Sequence, residues 1–219
     1  MHVPGVRSLE LALRAREVVL PGTLVLPGGA SGVVLFAHGS GSSRHSPRNR
    51  FVAEVLHQGG VGTLLFDLLT PEEAENRSRV FDIDLLADRL LLAARQVLSH
   101  PSASALPLGL FGASTGAAAA LVAAAQEPLV RAVVSRGGRP DLAGPWLAQV
   151  RAPTLLIVGS LDHRVLELNR QALAGMTCEK HMAVVPGASH LFEEPGTLEQ
   201  AAGLARDWFV RHLSARDRG

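Results

Sequence analysis

Apolar and polar positions change rhythm several times along the chain, and each change predicts an element. Residues 8–17, SLELALRARE, alternate at period two, as a half-buried strand does. Residues 18–27, VVLPGTLVLP, carry a Pro-Gly pair, and the two runs read as an antiparallel pair at a sheet edge. Residues 32–39, GVVLFAHG, form a short apolar run stopped by glycine, the pattern of a central parallel strand. A glycine- and serine-rich loop leads into a helix over 50–60 with a glycine stop. The alternation then repeats, with a strand over 61–67, a long amphipathic helix over 81–100, a strand over 106–114 and an alanine-rich helix over 115–127. Further strands are predicted over 130–138, 152–160 and 180–189, and helices over 169–175 and 198–213.

Strand–helix alternation with short connections implies a mostly parallel sheet covered by helices. No internal repeat and no linker divides the chain, so a single domain over 1–219 is expected. Residues 68–80, LLTPEEAENRSRV, are the longest polar segment and the best candidate for a mobile rim over a site.

Composition narrows the functional classes. With 47% hydrophobic residues in 219, a sizeable core is available. The 21 basic and 20 acidic residues nearly cancel, which leaves no basic footprint for nucleic acid and no polybasic membrane anchor. The first residues alternate polar and apolar, so neither a signal peptide nor a transmembrane span is expected. Cys178 is the only cysteine, which excludes an internal disulfide and fits a cytoplasmic protein. Lys180 is the only lysine, so cationic recognition would fall to arginine.

The candidate chemistry centres on residues 111–120, FGASTGAAAA. Gly112-Ala113-Ser114-Thr115-Gly116 matches G-x-S-x-G, with an apolar strand running in and a helix leaving. That is the setting of a nucleophile elbow. A dinucleotide fingerprint would need glycine where Ser114 stands, and a P-loop would need a lysine that HGSGSSRHS lacks. The bland alternative is a serine that only caps the helix.

A nucleophilic serine needs a base, and the base needs an orienting acid. In this architecture the chain order is serine, acid, histidine. His163, His181, His190 and His212 follow position 162, and His190 ends a loop leaving the carboxyl end of the last strand. Ligand-facing residues of parallel sheets lie at those ends. Of the acids between Ser114 and His190, Asp162 directly follows the strand TLLIVGS, and Asp141 is the runner-up, with a helix cap as its other role. Two backbone N–H groups must hold the oxyanion. Thr115 supplies one, and Ser40, or else Gly41, the other. His38 comes too early to be the base and would shape that loop instead.

In this order, HGSGSS, GASTG, GSLD and PGASH resemble an α/β-hydrolase over nearly the whole chain. HGSGSSRHSPRNR and SRGGRPDLAG resemble the dienelactone-hydrolase-like group within it. The resemblance implies an α/β-hydrolase fold, a mostly parallel central sheet flanked by helices, and a triad of Ser114, Asp162 and His190. The enzyme that names the group carries a cysteine nucleophile, whereas Cys178 lies outside any elbow. The resemblance therefore implies fold and triad, and not a dienelactone substrate. Some relatives are fused to a phosphoribosyltransferase domain, and none is expected in this chain. The stretch between VVSRGG and APTLLI is too short for a cap domain, so an open, shallow site is expected. With 4% aromatic residues, an aromatic-lined lipase tunnel is disfavoured.

Arg44, Arg48, Arg136 and Arg139 fall on loops at the active edge. They either meet a substrate carboxylate or phosphate, or pair with Asp67, Glu72, Glu73 or Asp141 and hold the loops. No histidine or cysteine spacing suggests a metal, and no cofactor is expected. The expected function is a serine hydrolase acting on a small carboxylic ester or lactone, an anionic one if an arginine is free. A non-catalytic binding or interaction module on the same fold, and acyl transfer or amide cleavage by the same triad, are the alternatives.

Overall fold

The computed structural model describes residues 5–214. Its centre is an eight-stranded sheet in the order β1-β2-β4-β3-β5-β6-β7-β8. Strands β1 (Arg7–Ala15) and β2 (Val18–Leu26) form an antiparallel hairpin, turning at Arg16 with φ 54°. β2 runs antiparallel to β4 (Gly62–Phe66). From there β3 (Val33–Ala37), β5 (Leu108–Ala113), β6 (Val130–Arg136), β7 (Thr154–Gly159) and β8 (Lys180–Val185) continue in parallel. Every residue of β3, β4 and β5 is buried. Covered on both faces, such strands have no reason to alternate, which is why they read as continuous apolar runs.

Helices α1 (Pro47–Gln58), α4 (Ile83–Ser99), α5 (Thr115–Gln126), α6 (His163–Gly175) and α7 (Thr197–Leu213) cover the two faces. One core gathers Leu86 and Leu90 of α4 and Leu121 of α5. The other gathers Val52 and Leu56 of α1 with Ala202 and Phe209 of α7, around Phe36 and Phe111 stacked at 4.6 Å. Between β6 and β7 runs only a 3-10 segment, Pro140–Gln149, kinked at Gly144. Among the described residues no cap domain stands over the sheet. No helix of the described residues is long and apolar enough to cross a membrane.

Two segments differ from the sequence reading. Residues 68–80 do border a cavity, through Leu68, Thr70, Pro71, Ala74 and Val80, but they are not irregular. They contain two single-turn helices, α2 (Pro71–Ala74) and α3 (Arg77–Val80). Thr70 and Glu73 form a capping box on α2. Arg89 of α4 grips Glu73 with two bonds of 2.6 Å and donates to Leu68 O at 2.7 Å, so α2 is fastened to the core helix behind it. Helix α6 also starts six residues before 169, at His163, immediately after Asp162.

Candidate active site

The candidate residues gather at the carboxyl edge of the parallel strands. Ser114 stands between β5 and α5 with φ 51° and ψ −122°. Only Arg16 and Phe192 share a positive φ among described non-glycine residues. Such a conformation costs about 1–3 kcal/mol, so neighbours must impose it. They do so by crowding. A Cβ at Gly116 would lie 2.2 Å from Ala37 O, and one at Gly112 would lie 2.3 Å from Ala117 Cα. The two glycines of the motif are therefore what lets α5 leave the sheet so abruptly. The Ser114 carbonyl accepts from Ala117 N and Arg139 N, and its N–H reaches Arg136 O at 3.4 Å. Its side chain makes no capping bond, so the hydroxyl is not used by the helix that it precedes.

Asp162 and His190 leave β7 and β8. The imidazole Nδ1 lies 2.6 Å from Asp162 Oδ2. Although Asp162 occupies the cap position of α6, its carboxylate makes no capping bond. An ionised carboxylate only accepts, so Nδ1 is the donor in this bond, and in the neutral ring Nε2 is the nitrogen left to accept a proton. The His190 loop is held by Ser189 N–H, which donates to Glu194 at 2.9 Å, and by Phe192, buried beneath it. A side-chain carbon at Gly137 would sit 3.1 Å from His190 O. The turn after β6 thus touches His190 while Arg136 and Arg139 hold the Ser114 backbone. Asp141, the other acid considered, is spent on a two-pronged pair with Arg139 at 2.9 and 2.8 Å.

The loop after β3 passes directly by Ser114. A Cβ at Gly39 would be 2.9 Å from Ser114 Cβ, so no larger residue fits there. His38 is buried and ties this loop down. Its Nε2 accepts Leu68 N–H at 3.0 Å, which leaves Nδ1 to donate to Gly39 O, also at 3.0 Å. Burial lowers its pKa and favours this neutral form. Ser40 N–H, expected to face the oxyanion, donates to Thr115 Oγ1 at 3.0 Å. Beside these residues opens a cavity of about 640 Å³, lined in part by Ser40, Gly41, His45, Arg48, Asp67 and Thr115.

The loop arginines divide. Arg44 is engaged by Glu10 at 3.0 Å and by Asp67 at 3.5 Å. Arg48 meets Glu193 at 3.6 Å. Arg136 has no carboxylate within reach among the described residues. It is 7% exposed, lies 5.7 Å from the Phe111 ring centroid and donates to Asn49 Oδ1 at 3.2 Å. Its other terminal nitrogen is buried without a partner. Burial, and then the charge of Arg48, push its pKa down to about 10. Among the described residues, no group of three or more His, Cys, Asp or Glu could hold a metal ion.

No family model matches the chain. A crystal structure of dienelactone hydrolase from Anabaena variabilis superposes on it with a TM-score of 0.91 at 55% identity, covering 94% of this chain and 98% of that one. The chain belongs to the dienelactone hydrolase family, within the α/β hydrolases. Two curated proteins of Mycobacterium tuberculosis strains, both named for a phosphoribosyl transferase, are 60% identical to it over 211 residues. That match takes in 96% of this chain and 48% of theirs, so the chain spans about half the length of the curated relatives it matches. Est1E from Butyrivibrio proteoclasticus, at 13% identity and a TM-score of 0.79, shares the fold.

Within this dienelactone-hydrolase-family site, three contributors escaped the sequence reading. Asn49, in the first turn of α1, is the neutral partner of Arg136. Asn169 of α6 donates to Gly138 O at 2.9 Å and holds the turn between Ser114 and His190. The Thr115 side chain, as distinct from its N–H, faces Ser40. The two asparagines stand in no recognisable motif, and Thr115 holds a position of G-x-S-x-G where the motif leaves the side chain open. The run SPRN, a serine cap followed by proline at the first helical position, marks the start of α1 three residues before the expected 50 but not what its asparagine meets.

Proposed function

We propose that this chain is a serine hydrolase that cleaves a small carboxylic ester or lactone through an acyl-enzyme on Ser114. The observation that carries the proposal is the 2.6 Å bond from His190 to Asp162, taken together with a serine held at positive φ and free of any capping duty. Ser114 Oγ adds to the carbonyl carbon while His190 Nε2 takes its proton. Asp162 stabilises the imidazolium that forms. Collapse of the tetrahedral adduct expels the alcohol, which leaves with the proton from Nε2. Water then repeats the sequence on the acyl-enzyme, with His190 again as base. The N–H of Thr115 faces the developing oxyanion.

The substrate in this reading is anionic. Arg136, without a carboxylate partner among the described residues, puts unneutralised positive charge beside the first turn of α1, and Arg48, paired with Glu193 only at 3.6 Å, lies on the cavity wall. A carboxylate-bearing ester or lactone would supply the missing counter-charge. A cytoplasmic setting belongs to the same reading, supported by a single cysteine. The transferase name of the curated relatives belongs to proteins twice the length of the match, and phosphoribosyl transfer is not part of the proposal.

The test is turnover of a panel of short esters and lactones, neutral and carboxylate-bearing, by wild type, Ser114→Ala and His190→Ala. Wild type should hydrolyse members of the panel, and both variants should lose at least a thousandfold in kcat. Equal rates in wild type and Ser114→Ala would end the proposal.

A further inference from the structure

The Thr115 hydroxyl is in an unusual position for a buried side chain. Thr115 is 4% exposed, opens α5 directly after the nucleophile and forms part of the cavity wall. Its Oγ1 accepts Ser40 N–H at 3.0 Å. A threonine hydroxyl that accepts a bond still has one proton of its own to donate. Among the described residues nothing accepts that proton, since the only bond to this hydroxyl is the one from Ser40. A buried donor facing a cavity without an acceptor is costly unless a ligand or water supplies one.

The neighbouring groups say which ligand atom that is. Thr115 N–H belongs to the first turn of α5, where backbone donors have no partner within the helix. The Ser114 side chain does not cap them. Gly39 brings the β3 loop against Ser114, and there Ser40 and Thr115, bonded to each other, both line the cavity next to the nucleophile. With Ser40 N–H already donating to Oγ1, the donor that this pair offers the cavity is the hydroxyl itself.

We infer that Thr115 Oγ1–H is a catalytic donor to the oxyanion, polarised by the Ser40 N–H behind it. The inference rests on the serine-hydrolase reading and names how that site holds its transition state. As the Ser114 Oγ–carbon bond forms, the carbonyl π pair moves onto oxygen. That oxygen accepts from both Thr115 N–H and Thr115 Oγ1–H. No proton leaves Thr115, and both bonds weaken as the carbonyl re-forms and the alcohol departs. The relay strengthens the hydroxyl as a donor, because accepting from Ser40 polarises its O–H bond. One residue therefore supplies two donors, and Ser40 acts through one of them.

The rival arrangement makes the opposite prediction. If the hydroxyl merely occupied Ser40 N–H, substrate would have to displace it, and removing it would speed the reaction. The experiment compares wild type, Thr115→Val, Thr115→Ser and Thr115→Ala with p-nitrophenyl acetate as the probe. Covalent labelling of wild-type Ser114 by a fluorophosphonate comes first, so that failure of the serine-hydrolase reading shows up separately. Thr115→Val keeps the shape of the side chain and removes the hydroxyl. Its kcat should fall about 100-fold, the usual scale for losing one oxyanion donor, with KM changed by no more than about twofold. Thr115→Ser should stay within about threefold of wild type. Affinity for phenylboronic acid, whose adduct on serine bears the oxyanion, should fall in Thr115→Val in parallel with kcat. Thr115→Ala makes the same comparison if the valine variant does not fold. A hydroxyl-free variant that folds and keeps kcat within tenfold of wild type, or exceeds it, overturns the inference.

Discussion

Replacing Arg136 by methionine separates what this residue costs the fold from what it gives the site. The guanidinium is 7% exposed and its pKa falls from 12.5 to about 10, which corresponds to about 3 kcal/mol against the charged form. The group stays charged at neutral pH, so the protein bears that cost throughout the working range. Methionine removes the cost and keeps an unbranched side chain of similar reach against Phe111. It forfeits the bond to Asn49 and the contact with the Phe111 ring, each worth about 1 kcal/mol. The balance favours the variant by about 1 kcal/mol, a rise in Tm of about 2–4 °C for a chain of this size. Because the depressed pKa remains far above neutrality, the gain should be the same at pH 6 and pH 8. The same variant should raise KM for monoethyl succinate about 10- to 100-fold, the worth of one hydrogen bond to a charged group. Its neutral isostere, an ethyl ester ending in an isopropyl group, should be hydrolysed as before. Calorimetry and initial rates read the two effects. A lower Tm together with equal losses on both esters would show that Arg136 serves the fold and not an anion.

Two further outcomes follow from named contacts. Asp162→Asn keeps the shape beside His190 but allows an amide N–H to face Nδ1, which forces the ring into the wrong tautomer; kcat for p-nitrophenyl acetate should fall about 10³- to 10⁴-fold, and a loss under tenfold would remove Asp162 from the role. Arg89 holds the Glu73 carboxyl near a pKa of about 2, below its ordinary 4.5, so the pair stabilises the fold fully above pH 4.5 and loses that contribution as pH falls toward 2. Glu73→Gln should therefore cost about 2 kcal/mol in urea unfolding at pH 6, with the gap to wild type closing in acid.

What the sequence revealed and what it concealed follow from the range of the interactions involved. The parallel strands were legible because burial on both faces leaves an uninterrupted apolar run, as in VVLFA and TLLIVG. The tight turn at Ser114 was legible because its glycines answer a steric demand within five residues. Chain order selected Asp162 and His190 from several candidates, and the fold brings them to 2.6 Å. The turns of residues 68–80 were not legible. Each is one turn long, and α2 is secured by Arg89, well downstream on α4. The start of α6 was hidden for a different reason: the aspartate in its cap position serves His190 and not the helix. Arginine pairing was legible only in part: Asp67 and Asp141, expected to hold the loops, do meet Arg44 and Arg139. Arg44 finds Glu10 on the edge hairpin while Arg136 finds only Asn49, and neither partner can be read from local pattern.

The most direct measurement is labelling of the intact chain with a small fluorophosphonate, followed by peptide mass spectrometry, with Ser114→Ala and His190→Ala alongside wild type. An activated serine predicts a single phosphonyl adduct on the peptide containing Ser114, absent from Ser114→Ala and slowed at least a hundredfold in His190→Ala. Folded wild-type protein that stays unlabelled across pH 6 to 9, or labels equally without His190, would contradict the account and leave a ligand-binding module on a hydrolase fold.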